Sequence, residues 1–227
     1  MHSEATFKAL NKASFLNFNI DVIMSLAIKK EWFSFDTYLD AMNTKYRTRA
    51  KAVFKKSSEI SNRSMEHLEI EAKLSIIENL YKQVLDRADY NLGVLKARTF
   101  LEFKRSLGED FVFMGYFLKD DLIGFTCSFL HGSILDANFM GLDYRYNTTY
   151  KLYQRMLYDF VKLTIEHNKS ELRLGRTAEM SKSSIGALPV HMKLCARHRN
   201  LLPSKLLKPL ISAIEPNTFD LRKPFKD

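Results

Sequence analysis

The chain of 227 residues is long enough to bury one substantial core, or two small ones, without metals or disulfides. Hydrophobic residues at 46% and aromatics at 12% exclude a wholly disordered chain, while 35 Lys and Arg against 26 Asp and Glu leave a net charge of +9. Two cysteines, Cys127 and Cys195, exclude a disulfide framework, no apolar run reaches the roughly 18 residues of a membrane span, and Met1-His2-Ser3-Glu4 is no secretion signal, so a cytoplasmic protein is expected.

No glycine or proline precedes Gly93, which favours long regular elements in the first part of the chain. Phe18, Ile20, Val22 and Met24 alternate with more polar neighbours and predict a strand. Ser34 stands at a helix N-cap position, and Phe35, Tyr38, Leu39, Met42, Tyr46, Val53 and Phe54 follow at helical spacing. One helix of about five turns is expected there, its stripe interrupted at Arg49 beside Ala50. A strand is expected at Met65–Ile70, a helix from Leu74 to Ala88, and a third helix at Ala97–Leu107 that stops at Gly108. Phe111–Leu118, Leu122–Leu130 and Ile134–Leu142 are apolar runs joined by tight turns, an antiparallel meander. A long helix from about Asn147 to His167 follows, then a short buried strand at Glu171–Gly175. A short helix at Ser181–Leu188 and a last strand at Val190–His198 complete the order. The third meander strand and Glu171–Gly175, joined by a helix, should lie side by side in parallel through a right-handed crossover.

Charge is concentrated in two places. Lys45, Arg47, Arg49, Lys51, Lys55 and Lys56 share a stretch with no acid. Lys182, Lys193, Arg197, Arg199, Lys205 and Lys208 accumulate between Met180 and Ile214, again without Asp or Glu. Both stretches suit a phosphate-bearing partner (a nucleotide cofactor, RNA or an anionic membrane), or serve solubility as solvated faces.

The element order resembles the GNAT superfamily of acyl-coenzyme A N-acyltransferases. The segments Leu135-Asp136-Ala137 to Tyr153-Gln154, Leu174-Gly175-Arg176-Thr177-Ala178 and Lys182-Ser183-Ser184-Ile185-Gly186-Ala187 are similar to the branch related to Fem-type peptidoglycan aminoacyltransferases. The basic segment Lys45-Tyr46-Arg47-Thr48-Arg49-Ala50-Lys51 is similar to the one leading into that branch's second unit. The resemblance covers roughly residues 35–200. It implies an α/β fold with a GNAT-like mixed, mostly antiparallel sheet and helices on both faces. It also implies a slot between the two parallel strands, with acetyl-CoA or another acyl-CoA as cofactor and no metal. The division it suggests is 1–56, a strand and basic helix left from a preceding unit; 57–202, the acyltransferase domain; and 203–227, a tail. Residues 15–26 would then be an edge strand that a missing unit, or a second copy in a homodimer, covers.

A helix N-terminus offers free N–H groups and a positive dipole end to phosphate. Asp143, Arg145, Asn147, Thr148 and Thr149 occupy that place here, and Arg176 and Lys182, past the next strand, could fork a carboxylate or phosphate. The superfamily's glycine-bearing pyrophosphate loop is absent, and no tyrosine lies between Arg176 and Leu188, where the family's usual acid would stand. Tyr150 and Tyr153 are the nearest phenols, of which Tyr153 is the candidate acid, though both also fit the apolar stripe. Ser181, Ser183 and Ser184 could orient a water. As general base Asp136 is favoured over Asp143, because it interrupts an apolar strand. His191, Cys195 and His198 fall on both faces of a strand and lack a fourth ligand, so no metal is expected.

Three functions stay open at this point. The first is acyl transfer from coenzyme A to a small-molecule or peptide amine. The second is Fem-like transfer from aminoacyl-tRNA, supported by the two basic stretches. The third is a noncatalytic binding protein, to which the missing loop and tyrosine point.

Overall fold

The computed structural model describes residues 4–87, 93–197 and 219–226. In chain order these form α1 (Glu4–Lys12), β1 (Leu16–Ala27), α2 (Phe35–Ala41), α3 (Thr44–Lys56), β2 (Ile60–Ser64) and α4 (His67–Ala72). Then come α5 (Leu74–Leu85), α6 (Ala97–Leu107), β3 (Phe111–Leu118), β4 (Asp121–His131) and β5 (Ile134–Leu142). The last elements are α7 (Tyr144–Tyr150), α8 (Leu152–Glu166), β6 (Glu171–Arg173), α9 (Glu179–Ser183) and β7 (Leu188–Ala196).

Local chemistry explains where most of these elements begin and end. The Ser34 Oγ accepts from the Thr37 N–H, and the Thr37 Oγ1 accepts from the Ser34 N–H, a reciprocal capping box that starts α2. Gly108, at φ +56°, closes α6 as expected. The helix expected to run from Phe35 to Phe54 is instead two. At Met42 the backbone turns extended (ψ 148°) and bridges to Phe225, while the Asn43 N–H donates to the Pro224 carbonyl at 2.7 Å. A tertiary contact from the chain's end thus takes the bonds that would have continued the helix.

Two further expectations are corrected. Met65–Ile70 is not a strand: β2 ends at Ser64 and α4 begins at His67. Its Glu66, Leu68, Glu69 and Glu71 are better helix than strand formers. The long helix from Asn147 breaks into α7 and α8 at Lys151, which adopts φ 54°, ψ 39°. The last strand runs from Leu188 to Ala196; His198 lies outside the described residues, as does Ala88 at the end of the second helix.

The seven strands make one sheet in the order β2-β3-β4-β5-β6-β1-β7. Every neighbouring pair is antiparallel except β5 and β6. The mixed, mostly antiparallel α/β sheet and the parallel pair are therefore present as expected. Helices cover both faces, and two neighbouring residues of β5 show how. A Cβ on Gly141 would lie 2.8 Å from backbone atoms of Leu80 and Tyr81 in α5. Leu142, the next residue on the strand, clusters instead with Met156 of α8. Successive strand residues point to opposite faces, so α5 and α8 lie on opposite sides.

β1 is not an edge strand. It sits between β6 and β7, bonded to both, so its hydrogen bonds are already taken within the sheet. No helix among the described residues is long and apolar enough to cross a membrane.

Candidate active site

Strands β5 and β6 pair for only three residues each: Ile134 with Glu171, Leu135 with Leu172, and Asp136 with Arg173. Beyond that point β6 leaves. The Leu174 N–H donates to the Met24 carbonyl at 2.8 Å, and the Met24 N–H donates to the Gly175 carbonyl at 2.9 Å. The continuation of β6 is thereby claimed by β1. Among the described residues β5 makes no further ladder on that side, although β4 holds its other edge through to Leu142. A slot opens between the C-terminal ends of two parallel strands, where an α/β sheet places ligands.

Next to it lies a cavity of about 320 Å³, walled by the elements that follow the two parting strands and by α3. From α3 come Tyr46, Arg49, Ala52, Val53 and Lys56. α8 and its first turn supply Lys151, Gln154, Leu157 and Tyr158, and the segment after α9 supplies Ser184 and Ile185. Val53, Leu157, Tyr158 and Ile185 are buried and form an apolar floor. Arg49 and Lys56 are exposed and Lys151 is half-buried, so the cations ring an apolar interior. Among the described residues neither Arg49 nor Lys56 makes an ion pair; Arg49 rests on the Tyr46 ring at 5.7 Å.

Burial pushes the Tyr158 phenol up to about 12, against a smaller downward pull from Arg49. It is therefore protonated at neutral pH and can donate. Tyr153, half-buried where two clusters meet, is raised further by the same cause, with smaller contributions from Tyr144 and Glu179.

The wall at Ile185 is held from behind. The Tyr38 hydroxyl donates to the Ile185 carbonyl at 2.7 Å. Residues 219–226 cross outside it: the Arg222 N–H donates to the Ser183 Oγ at 3.1 Å. Phe225 packs on Trp32 and Tyr38, with ring centroids 4.7 and 5.7 Å away. Gly186 sits under that ring at φ +96°, and a Cβ there would lie 2.2 Å from Phe225 Cε2.

The residues expected from sequence are dispersed around this centre. Asp143 and Arg145 pair at 2.6 Å, and Asp143 also accepts from the Arg145 N–H, capping α7. The guanidinium holds the Asp143 carboxyl below its ordinary range, burial working the other way. The Asn147 Oδ1 accepts from the Tyr153 N–H at 3.0 Å, so it already occupies one of the free N–H groups at the start of α8. Thr148 and Thr149 are exposed. Lys182 is buried and its Nζ donates to the Arg176 carbonyl, a brace across the turn after β6, while Arg176 itself is exposed. Asp136 stands on the last rung of the β5–β6 pair, opposite Arg173, where the two strands begin to part. At about 3.3 Å per residue it is some 23 Å along the chain from Asp143. The two carboxylates are not brought together. Leu135 and Ala137, which flank Asp136, pack in the same cluster as Leu157, Tyr158 and Ile185 of the cavity, so Asp136 itself points to the other face of the sheet.

Of the cavity's polar residues, Arg49 and Lys56 were read from sequence as members of a basic stretch, and Lys151 and Tyr158 were not singled out. The signal for Arg49 was present, since a charge that breaks an apolar stripe has to face something. Lys151 could not be found, because the break between α7 and α8 that exposes it carries no glycine or proline.

A second buried polar group lies deeper on α8. Asp159 accepts from the Arg155 Nε at 2.9 and 3.1 Å and from the Tyr116 hydroxyl, and Arg155 reaches on to Ser57 and Asn62. These side chains tie α8 to β2 and β3 beside a polar cavity of about 210 Å³. Among the described residues no group of three His, Cys, Asp or Glu side chains could hold a metal ion.

A mixed sheet that parts after a short parallel pair, with a helix rising from the end of the first strand, is a GNAT-like fold. FemX superposes with a TM-score of 0.64 at 11% identity, covering 92% of this chain and 71% of its own. The C-terminal domain of a putative lysylphosphatidylglycerol synthetase from Agrobacterium fabrum gives 0.58 at 9% identity, covering 91% and 69%. L-PGS from Bacillus licheniformis gives 0.55 at 10%, covering 92% and 71%. At such identities the likeness is one of fold. No family model and no curated protein matches the sequence.

Proposed function

We propose that the chain is an acyltransferase that moves an activated acyl group onto an amine. The observation that carries this reading is the slot: among the described residues β5 has no backbone partner on that side where β6 has turned away to β1. Free N–H groups on a fixed strand edge can polarise an acyl carbonyl laid along it without reorganisation. The amine nitrogen attacks that carbonyl and forms the C–N bond. The C–S bond of a thioester, or the C–O bond of an aminoacyl ester, then breaks. The leaving group takes up a proton from Tyr158 or Tyr153, and the proton lost by the nitrogen restores the phenol. Both phenols are protonated at neutral pH, as this role requires.

Coenzyme A is the first candidate donor, with its pyrophosphate over residues 145–149 and Arg145, Asn147, Thr148, Thr149, Arg176 and Lys182 around it. The second reading, aminoacyl-tRNA, is favoured by a specific observation. The Asp143 carboxylate already takes the Arg145 N–H and guanidinium, whereas among the described residues Arg49, Lys56 and Lys151 at the cavity form no ion pair. The fold neighbours named for FemX and for lysylphosphatidylglycerol synthesis lend the second reading weight.

Two charge reversals separate the donors. Arg145→Glu is expected to weaken coenzyme A binding about tenfold and leave tRNA binding nearly unchanged. Lys55→Glu, on the outer side of α3, should do the opposite, and most strongly at low salt. Calorimetry on the two variants with coenzyme A and with tRNA reads both effects. If wild type binds neither ligand, the chain is a noncatalytic GNAT-fold binding protein.

A further inference from the structure

We propose that the cavity between α3, α8 and the segment after α9 takes a small anionic amphiphile, a molecule with one phosphate or carboxylate and an apolar body. On the transferase reading, on which this assignment rests, that molecule is the acyl acceptor.

Three observations on the lining converge. First, its charges all have one sign: Arg49, Lys56 and Lys151 line it, with no Asp or Glu. A protonated amine would meet three like charges and no counter-charge, so polyamines and other polycations are selected against. Second, the interior beneath the cations is apolar, made of the buried Val53, Leu157, Tyr158 and Ile185. A free inorganic anion would satisfy the rim but leave that floor uncovered. Third, its volume of about 320 Å³ is at the small end of ligand sites, which suits a compact ring or short chain.

The same charge pattern bears on the chemistry. Nearby cations disfavour the protonated form of an amine. An acceptor seated here by its anionic group is therefore held with its amine as the free base, ready to attack. That accounts for a cavity without a carboxylate base, with Asp136 on the other face of the sheet.

Calorimetric titration with phenyl phosphate, benzoate, inorganic phosphate and benzylamine tests the assignment, and needs no acyl donor. Phenyl phosphate and benzoate should bind wild type, inorganic phosphate at least tenfold more weakly than phenyl phosphate, and benzylamine not measurably. The arm that binds more tightly, phosphate or carboxylate, tells which anionic group the cavity prefers. Arg49→Glu should weaken both aryl anions at least tenfold. Ala52→Trp, which narrows the mouth, should abolish their binding. Both positions are exposed, and thermal unfolding of each variant checks that the fold is kept.

Benzylamine binding as tightly as benzoate would overturn the assignment. So would inorganic phosphate matching phenyl phosphate, or both variants binding like wild type. Anion binding without any acyl transfer would overturn the transferase reading and leave the cavity's ligand class standing. Transfer to cationic amines alone would do the reverse.

Discussion

Asp159→Ala is expected to lower stability by about 3 kcal/mol at pH 7, because it strands the Arg155 guanidinium, only 12% exposed, without its carboxylate. Arg155 spends its Nε on Asp159, and its remaining hydrogen bonds, to Ser57 and Asn62, are with neutral groups. Asp159→Asn keeps the shape and one acceptor and should cost less, about 1–3 kcal/mol. A pH series adds a second signature. Burial pushes the Asp159 carboxyl up to about 6 from an ordinary 3.8, with Arg155 and Tyr116 pulling it down by less. The folded value lies above the unfolded one, so this group's contribution to stability is complete below about pH 4 and is lost as the pH rises through 6. The loss is on the order of 2–3 kcal/mol. Urea unfolding between pH 4 and 7.5 should show this fall in wild type and a flatter curve for Asp159→Asn. Parallel curves would refute it.

The second large effect is expected at Gly141. A Cβ there would lie 2.3 Å from Phe125 Cε1 and 2.8 Å from the Leu80 carbonyl carbon and the Tyr81 nitrogen. The phenylalanine ring could yield, but backbone of α5 cannot without lifting the helix from the sheet. Gly141→Ala should therefore cost about 3 kcal/mol, the upper range for overpacking, through a change of urea midpoint. A neutral Gly141→Ala would mean that α5 does not lie on β5 as described. Gly132, with nothing near its missing Cβ, serves as the control, although its φ of +51° adds some strain of its own to any substitution.

Much of this fold was legible because its signals are local. The meander and Ala97–Leu107 carry their own turns and caps, and the β5–β6 crossover follows from handedness. The misjudged parts depend on distant residues. Nothing near Met42 announces a break, since what breaks the helix is Phe225 and Pro224 from the other end of the chain. β1 was taken for an edge because its partners β6 and β7 come more than a hundred residues later. The slot was foreseeable from strand order, but the cavity beside it was not. That cavity is assembled from α3, α8 and Ile185, and its position depends on the left-handed turn at Lys151 and on the Tyr38 bond behind Ile185. Arg49 was seen as an interruption of a stripe, and only the fold shows what it interrupts the stripe to face.

The direct test of acyl transfer is a mass measurement. Purified protein is incubated with acetyl-CoA, or with aminoacylated tRNA, in the presence of 4-aminobenzoate, which joins an amine to an apolar ring and a carboxylate. The account predicts a product heavier by the acyl group with one of the two donors, and its loss in Arg49→Glu. No product with either donor, from protein that binds the acceptor, would contradict it.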